Sequence, residues 1–109
     1  MNDLINCFVS FRLNDGDRDL IISVRMHIPA FVISVGNRIT HEGINVGGVI
    51  ESVSWYGAGD NGDDTDIDVF ESVSAQKIDE TYLNLADDMR VEYVELAHGS
   101  SVIEFAPHA

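Results

Sequence analysis

The sequence predicts a mainly β domain, antiparallel and partly barrel-like, with at most one or two short helices. Three observations predict it. Apolar and polar residues alternate with a period of two through residues 5–13 and 19–28, the spacing of strands with one buried face. Glycine, asparagine and aspartate cluster between such runs, where hairpins turn. A helical period appears only once, over residues 75–88.

In the first strand Ile5, Cys7, Val9, Phe11 and Leu13 face one way, and Asn6, Phe8, Ser10 and Arg12 the other. Asn14, Asp15, Gly16 and Asp17 supply the turn. In the second, Leu20, Ile22, Val24, Met26 and Ile28 oppose Ile21, Ser23, Arg25 and His27. Phe8 and Ile21 leave apolar surface on the outer side, to be covered by a later strand or by a second copy. Pro29 ends the strand because it cannot donate to a ladder. The apolar run 30–35 between Pro29 and Gly36 reads as a buried strand. Residues 38–40 start another, 41–45 form a loop, and 46–56 form a strand. Gly47-Gly48 marks a bulge or a close backbone approach in it. Trp55 is expected in the core. Gly36, Gly43, Gly47-Gly48 and the run Val49 to Val53 resemble the glycine-rich hairpins of small SH3-like barrels, a likeness that covers residues 35–56 and bears on fold alone.

Residues 66–74 form the next strand, with Ile67, Val69, Val73 and Glu71 on one face and Asp66, Asp68, Phe70 and Ser72 on the other. Over 75–88, Ile78, Tyr82, Leu85 and Met89 recur at helical spacing and Ser74 can cap, although Asp87 and Asp88 would stand at the unfavourable end of the helix dipole. Residues 89–96 and 102–105 read as a second hairpin.

A chain of 109 residues gives one domain, residues 1–109. Its one cysteine, Cys7, excludes an intrachain disulfide, as expected of a cytoplasmic protein. No leader and no membrane-length apolar run is read from it. The net charge of −13 is unevenly placed. Residues 1–56 hold six acidic side chains against four arginines, a net of −2; residues 57–109 hold thirteen against Lys77 and Arg90, a net of −11. Such a field repels nucleic acid and anionic membrane and attracts basic proteins or cations.

The densest acidic stretch is GAGDNGDDTDIDVFE, residues 57–71. On a strand, Asp64, Asp66 and Asp68 share one face about 6.6 Å apart, which matches alternate phosphates in projection, since each strand of a DNA duplex presents one about every 3.4 Å of axis. Asp60, Asp63, Glu71, Asp79, Glu80, Asp87 and Asp88 extend the sign, and Tyr56 stands before the loop as an aromatic anchor. These residues are the expected partner-binding set. Residues 60–71 are also similar to the calcium loop of EF-hands, with acidic groups at positions one, five, seven, nine and twelve. Gly62 at position three and Thr65 at position six break the pattern, so no EF-hand and no metal site is assigned; a weak calcium-binding β domain stays as an alternative. His27, His41, His98 and His108 have no ligand spacing, and no nucleophile, phosphate-loop or zinc motif occurs. Neither catalytic residues nor a cofactor is expected, and the chain is not read as an enzyme.

In size, acidity and lack of catalytic motifs the chain resembles the small inhibitors carried by phages and mobile elements, such as anti-CRISPR proteins. That resemblance implies a protein-binding inhibitor occupying a basic surface on a nucleic-acid-handling partner, with no direct contact to nucleic acid. The alternative from another class is a structural module that assembles, as a homodimer or larger oligomer, through Phe8, Ile21 and the outer sheet face.

Overall fold

The alternation in the first thirty residues becomes the centre of the fold. The computed structural model describes residues 4–55, 63–85 and 88–105, with Asp63 and Asp64 described as backbone only. Strand β1 (Leu4–Asn14) pairs antiparallel with β2 (Arg18–Pro29), Val9 opposite Val24 and Phe11 opposite Ile22. The turn is held by side chains. Asn14 Oδ1 accepts from Gly16 N at 2.9 Å, and Asp15 Oδ1 accepts from Asp17 N at 2.9 Å and Arg18 N at 2.7 Å. Those backbone donors, that of Arg18 foremost, hold the Asp15 carboxyl below its usual range.

Beyond β2 the chain forms a 3-10 turn over Ala30–Val32, then β3 (Arg38–His41) and β4 (Val46–Trp55). The strand expected over residues 30–35 is absent. Phe31 and Val35 are 77% and 63% exposed, and only Ile33 of the run is buried. Ile33 N donates to Ala30 O, and Asn37 Nδ2 closes on Val32 O. A turn wins here because the chain leaves the ladder at Pro29 and has to reverse to reach β3. Apolar content alone does not separate these outcomes.

Next come β5 (Asp63–Ser72), helix α1 (Ala75–Leu85), β6 (Val91–His98) and β7 (Ser101–Phe105). Among the described residues seven strands form one sheet in the order β3-β4-β5-β1-β2-β6-β7. Of these described pairs, only β1 and β5 run in parallel. Since β6 is antiparallel to β2, strands β5, β1 and β6 share a direction. The chain therefore has to cross β1 and β2 between β5 and β6, and α1 makes that crossover.

Ser74 caps α1, its Oγ accepting from Lys77 N at 3.1 Å. Ile78, Thr81 and Leu85 are buried beneath the helix, with Tyr82 partly so. Met89 does not continue this stripe. It lies past the helix end and is 78% exposed. The core beneath α1 is built from Val9, Phe11, Leu13, Leu20, Ile22, Val24, Ile67 and Val69, each at most 1% exposed. Lys77 Nζ reaches Asn45 O at 3.0 Å and Arg90 Nη2 reaches Gly43 O at 2.9 Å, tying the β3–β4 loop to α1 and the start of β6.

Gly47-Gly48 marks a close approach and not a bulge: Gly48 pairs regularly with Ile39. The bulge lies further along β4, between Ile50 and Ser52. Trp55, expected in the core, is 56% exposed near the end of β4.

Candidate functional site

One face of the sheet packs under α1, and the other is open. Partners across a ladder share a face, so the registers order the open side into rows. One row runs Arg38, Val49, Phe70, Arg12, Ile21, Glu95, Phe105. The next runs Ser52, Asp68, Ser10, Ser23, Tyr93, and the third Ser54, Asp66, Phe8, Arg25. The small residues of the middle row leave a trough between two bulky ones. Its floor is hydrogen-bonded: Ser52 Oγ donates to Asp68 Oδ2 at 2.8 Å, and the Ser10 and Ser23 hydroxyls lie 2.9 Å apart. Ser10, Arg12, Ile21, Glu51, Ser52 and Asp68 line a concavity of about 330 Å³ there.

The bulge sets one wall. Val69 pairs with Ile50 and Asp68 with Ser52, so Glu51 is the extra residue. It is exposed, 3.8 Å from the Arg12 guanidinium. Arg12 in turn lies over the Phe70 ring at 4.7 Å, and Arg25 over Phe8 at 5.6 Å while bonding Glu92 at 3.3 Å. Phe8 and Ile21, the surface expected to need a strand or a second copy, are thus half-buried among the protein's own side chains.

The predicted acidic set divides between several surfaces. Asp66 and Asp68 project from the open face as the alternation requires. Asp63 and Asp64 lie on the same strand, but their side chains fall outside the described residues, as do Tyr56, Asp60 and Asp87 entirely. Glu71 is opposite Leu13, on the helix side of the sheet, and binds Arg38. Asp79 and Glu80 sit on α1 beyond its first turn. Asp79 holds Arg18 at 2.8 Å and Glu80 accepts from Gln76 at 2.8 Å. Asp88 precedes β6 and grips Arg90, whose side-chain and backbone hydrogen bonds pull its pKa from 3.8 to about 2. Within the calcium-loop-like stretch 60–71, β5 is extended and carries Asp66 and Asp68 on one face and Glu71 on the other, while residues 60–62 lie outside the described residues. Among the described residues no three His, Cys, Asp or Glu side chains converge as metal ligands, and no helix is long and apolar enough to cross a membrane. Cys7 is 1% exposed, and burial pushes its thiol up to about 11, which keeps it protonated and unreactive.

The basic residues were legible as a count but not as a pattern. Every arginine has a carboxylate partner: Arg12 with Asp19 and Glu51, Arg18 with Asp15 and Asp79, Arg25 with Glu92, Arg38 with Glu71, Arg90 with Asp88. Lys77 is bound to the Asn45 carbonyl. No family model, curated protein or solved structure matches the chain. The functional reading therefore rests on geometry and charge.

Proposed function

We propose that this protein binds and regulates a basic partner, occupying a surface that otherwise holds nucleic acid. In character this is the activity of the small inhibitors of phages and mobile elements, anti-CRISPR proteins among them. The observation that carries the reading is the internal pairing of all five arginines. With its guanidinium groups held by its own carboxylates, the chain offers little cationic surface to a phosphate backbone, while it carries a net charge of −13. Such a surface attracts cations over distance and repels polyanions.

The β5 row is the contact the sequence favours. Asp66 and Asp68 stand beside Ser52 and Ser54 on the open face, at the spacing of alternate phosphates. The test is affinity capture from the native host, elution across a salt gradient, and displacement of nucleic acid from the captured protein. A basic nucleic-acid-binding partner should elute early and release its nucleic acid when the chain is added. Changing Asp64, Asp66 and Asp68 together to Asn should weaken binding about tenfold if each exposed carboxylate contributes a few tenths of a kcal/mol or more. A partner that keeps its nucleic acid, or binding indifferent to salt, would refute the proposal.

A further inference from the structure

The open face is not the only surface left without a cover. On the other side, α1 leaves a groove between its own outer flank and the end of the sheet. Arg18, Asp79, Tyr82, Leu83, Ile103 and Glu104 line it over about 490 Å³. Leu83 is 77% exposed and Ile103 48% exposed, so two large aliphatic side chains flank it in water. The arrangement has a local cause. Strand β7 carries an irregularity: Leu96 pairs with Glu104 and Ala97 with Val102, which makes Ile103 the extra residue. A bulge re-aims side chains, and here Ile103 and Glu104 both reach the groove.

Three features narrow the occupant. A bulged edge resists the addition of another strand, so the groove itself is the receptor and the free edge of β7 is not. Two carboxylates, Asp79 and Glu104, line the groove against one arginine, Arg18, which Asp15 and Asp79 hold. A second copy would bring another −13 to this rim, which disfavours self-association. What complements an apolar floor with an acidic rim is an amphipathic segment with lysine or arginine around a few aliphatic side chains.

We propose that the α1–β7 groove is the docking site for such a basic amphipathic segment, its apolar side chains seated on Leu83 and Ile103 and its cations against Glu104 and, shared with Arg18, Asp79. This rests on the reading that the partner is basic, and it locates the tight part of the contact away from the β5 row. The lining takes in Asp79, Tyr82 and Leu83 of α1 and Ile103 and Glu104 of β7, a stretch of about 6 Å along the helix, which seats about one turn of a bound helix.

The probes are two labelled peptides of about twelve residues, equal in charge: a leucine–lysine amphipathic helix, and the same peptide with serine for leucine. Fluorescence anisotropy is followed at low and physiological salt. The leucine–lysine peptide should bind more tightly, and salt should weaken it by a smaller factor than the serine peptide. Leu83→Ser with Ile103→Ser should cost about tenfold, as loss of central apolar anchors does, whereas Asp66→Asn with Asp68→Asn should change its affinity little. Leu83 is largely in water, so Leu83→Ser should leave the thermal melt unchanged and carries the test alone if Ile103→Ser shifts it. Equal binding of both peptides, unaffected by the groove substitutions, overturns the groove and leaves the basic-partner reading standing. Failure of both peptides to bind even at low salt overturns both.

Discussion

Gly48→Ala is the sharpest test of the way the sheet is assembled. A Cβ at Gly48 would lie 2.4 Å from Phe70 O and 2.8 Å from Val69 Cγ1. Phe70 O belongs to the backbone of β5, which is paired on both sides, with β4 and with β1. It cannot rotate aside as a side-chain terminus would, so the β4–β5 ladder has to separate locally. Overpacking of this kind costs about 1–3 kcal/mol. With an unfolding entropy of about 2.1 cal/mol/K per residue, the whole chain loses about 4 °C of Tm per kcal/mol. The expected fall is therefore about 4–13 °C. Gly99, in the β6–β7 turn, supplies the contrast. It has φ +62° and nothing within 4 Å of its would-be Cβ, so its requirement is conformational and not steric. Asn tolerates that left-handed conformation. Gly99→Asn should then be milder than Gly99→Ala, whereas Gly48→Asn should be no better than Gly48→Ala. The assay is thermal unfolding followed by circular dichroism. A Gly48→Ala melt within about 1 °C of wild type would refute the close packing of β4 on β5.

Two further predictions follow from single contacts. Ser74→Ala removes the acceptor for Lys77 N and should cost about 1 kcal/mol, or ~4 °C in Tm, with Ser74→Asp close to wild type. Asp88 has its pKa lowered in the folded state, chiefly by hydrogen bonds from the Arg90 side chain and backbone, so it stabilises above its unfolded value near 3.8 and the contribution fades as pH falls through about 2. Urea melts from pH 5 to pH 2 should show wild type exceeding Asp88→Asn by a constant margin down to about pH 4 and by a shrinking one below it. A margin independent of pH would remove Asp88 from the account.

The strands were legible wherever one face is buried and the other wet, because a period of two then has a single physical meaning. The β1–β2 hairpin, β5, β6 and the alternation of Asp66 and Asp68 all follow from it. The cap at Ser74 was legible for the same reason, a local hydrogen bond with a local signature. Residues 30–35 failed because a short apolar run carries no period, and only Ile33 found a place inside. The bulge at Glu51 failed because glycine drew attention to Gly47-Gly48, while the actual misregister arises from how Ile50 and Ser52 meet β5. The acidic set failed to form one surface for a related reason. Charge counted along the chain says nothing about the crossover α1, which takes Asp79 and Glu80 to the opposite side from Asp66 and Asp68.

That division changes which step of an encounter the carboxylates govern. Attraction over distance depends on the summed charge, and at physiological salt it fades beyond a Debye length of about 8 Å. A total of −13 steers a basic partner without needing all its carboxylates on one face. Residence is different, since it depends on groups that lose water on contact. On the open face a partner would have to part Arg12 from Phe70 and Glu51, and Arg25 from Phe8 and Glu92, before reaching the serine floor. Over the α1–β7 groove Leu83 and Ile103 already stand exposed, and only Asp79 has to be shared with its own arginine, Arg18. On this reading substitution of Asp66 and Asp68 should act mainly on the association rate and its salt dependence, and substitution of Leu83 and Ile103 on dissociation.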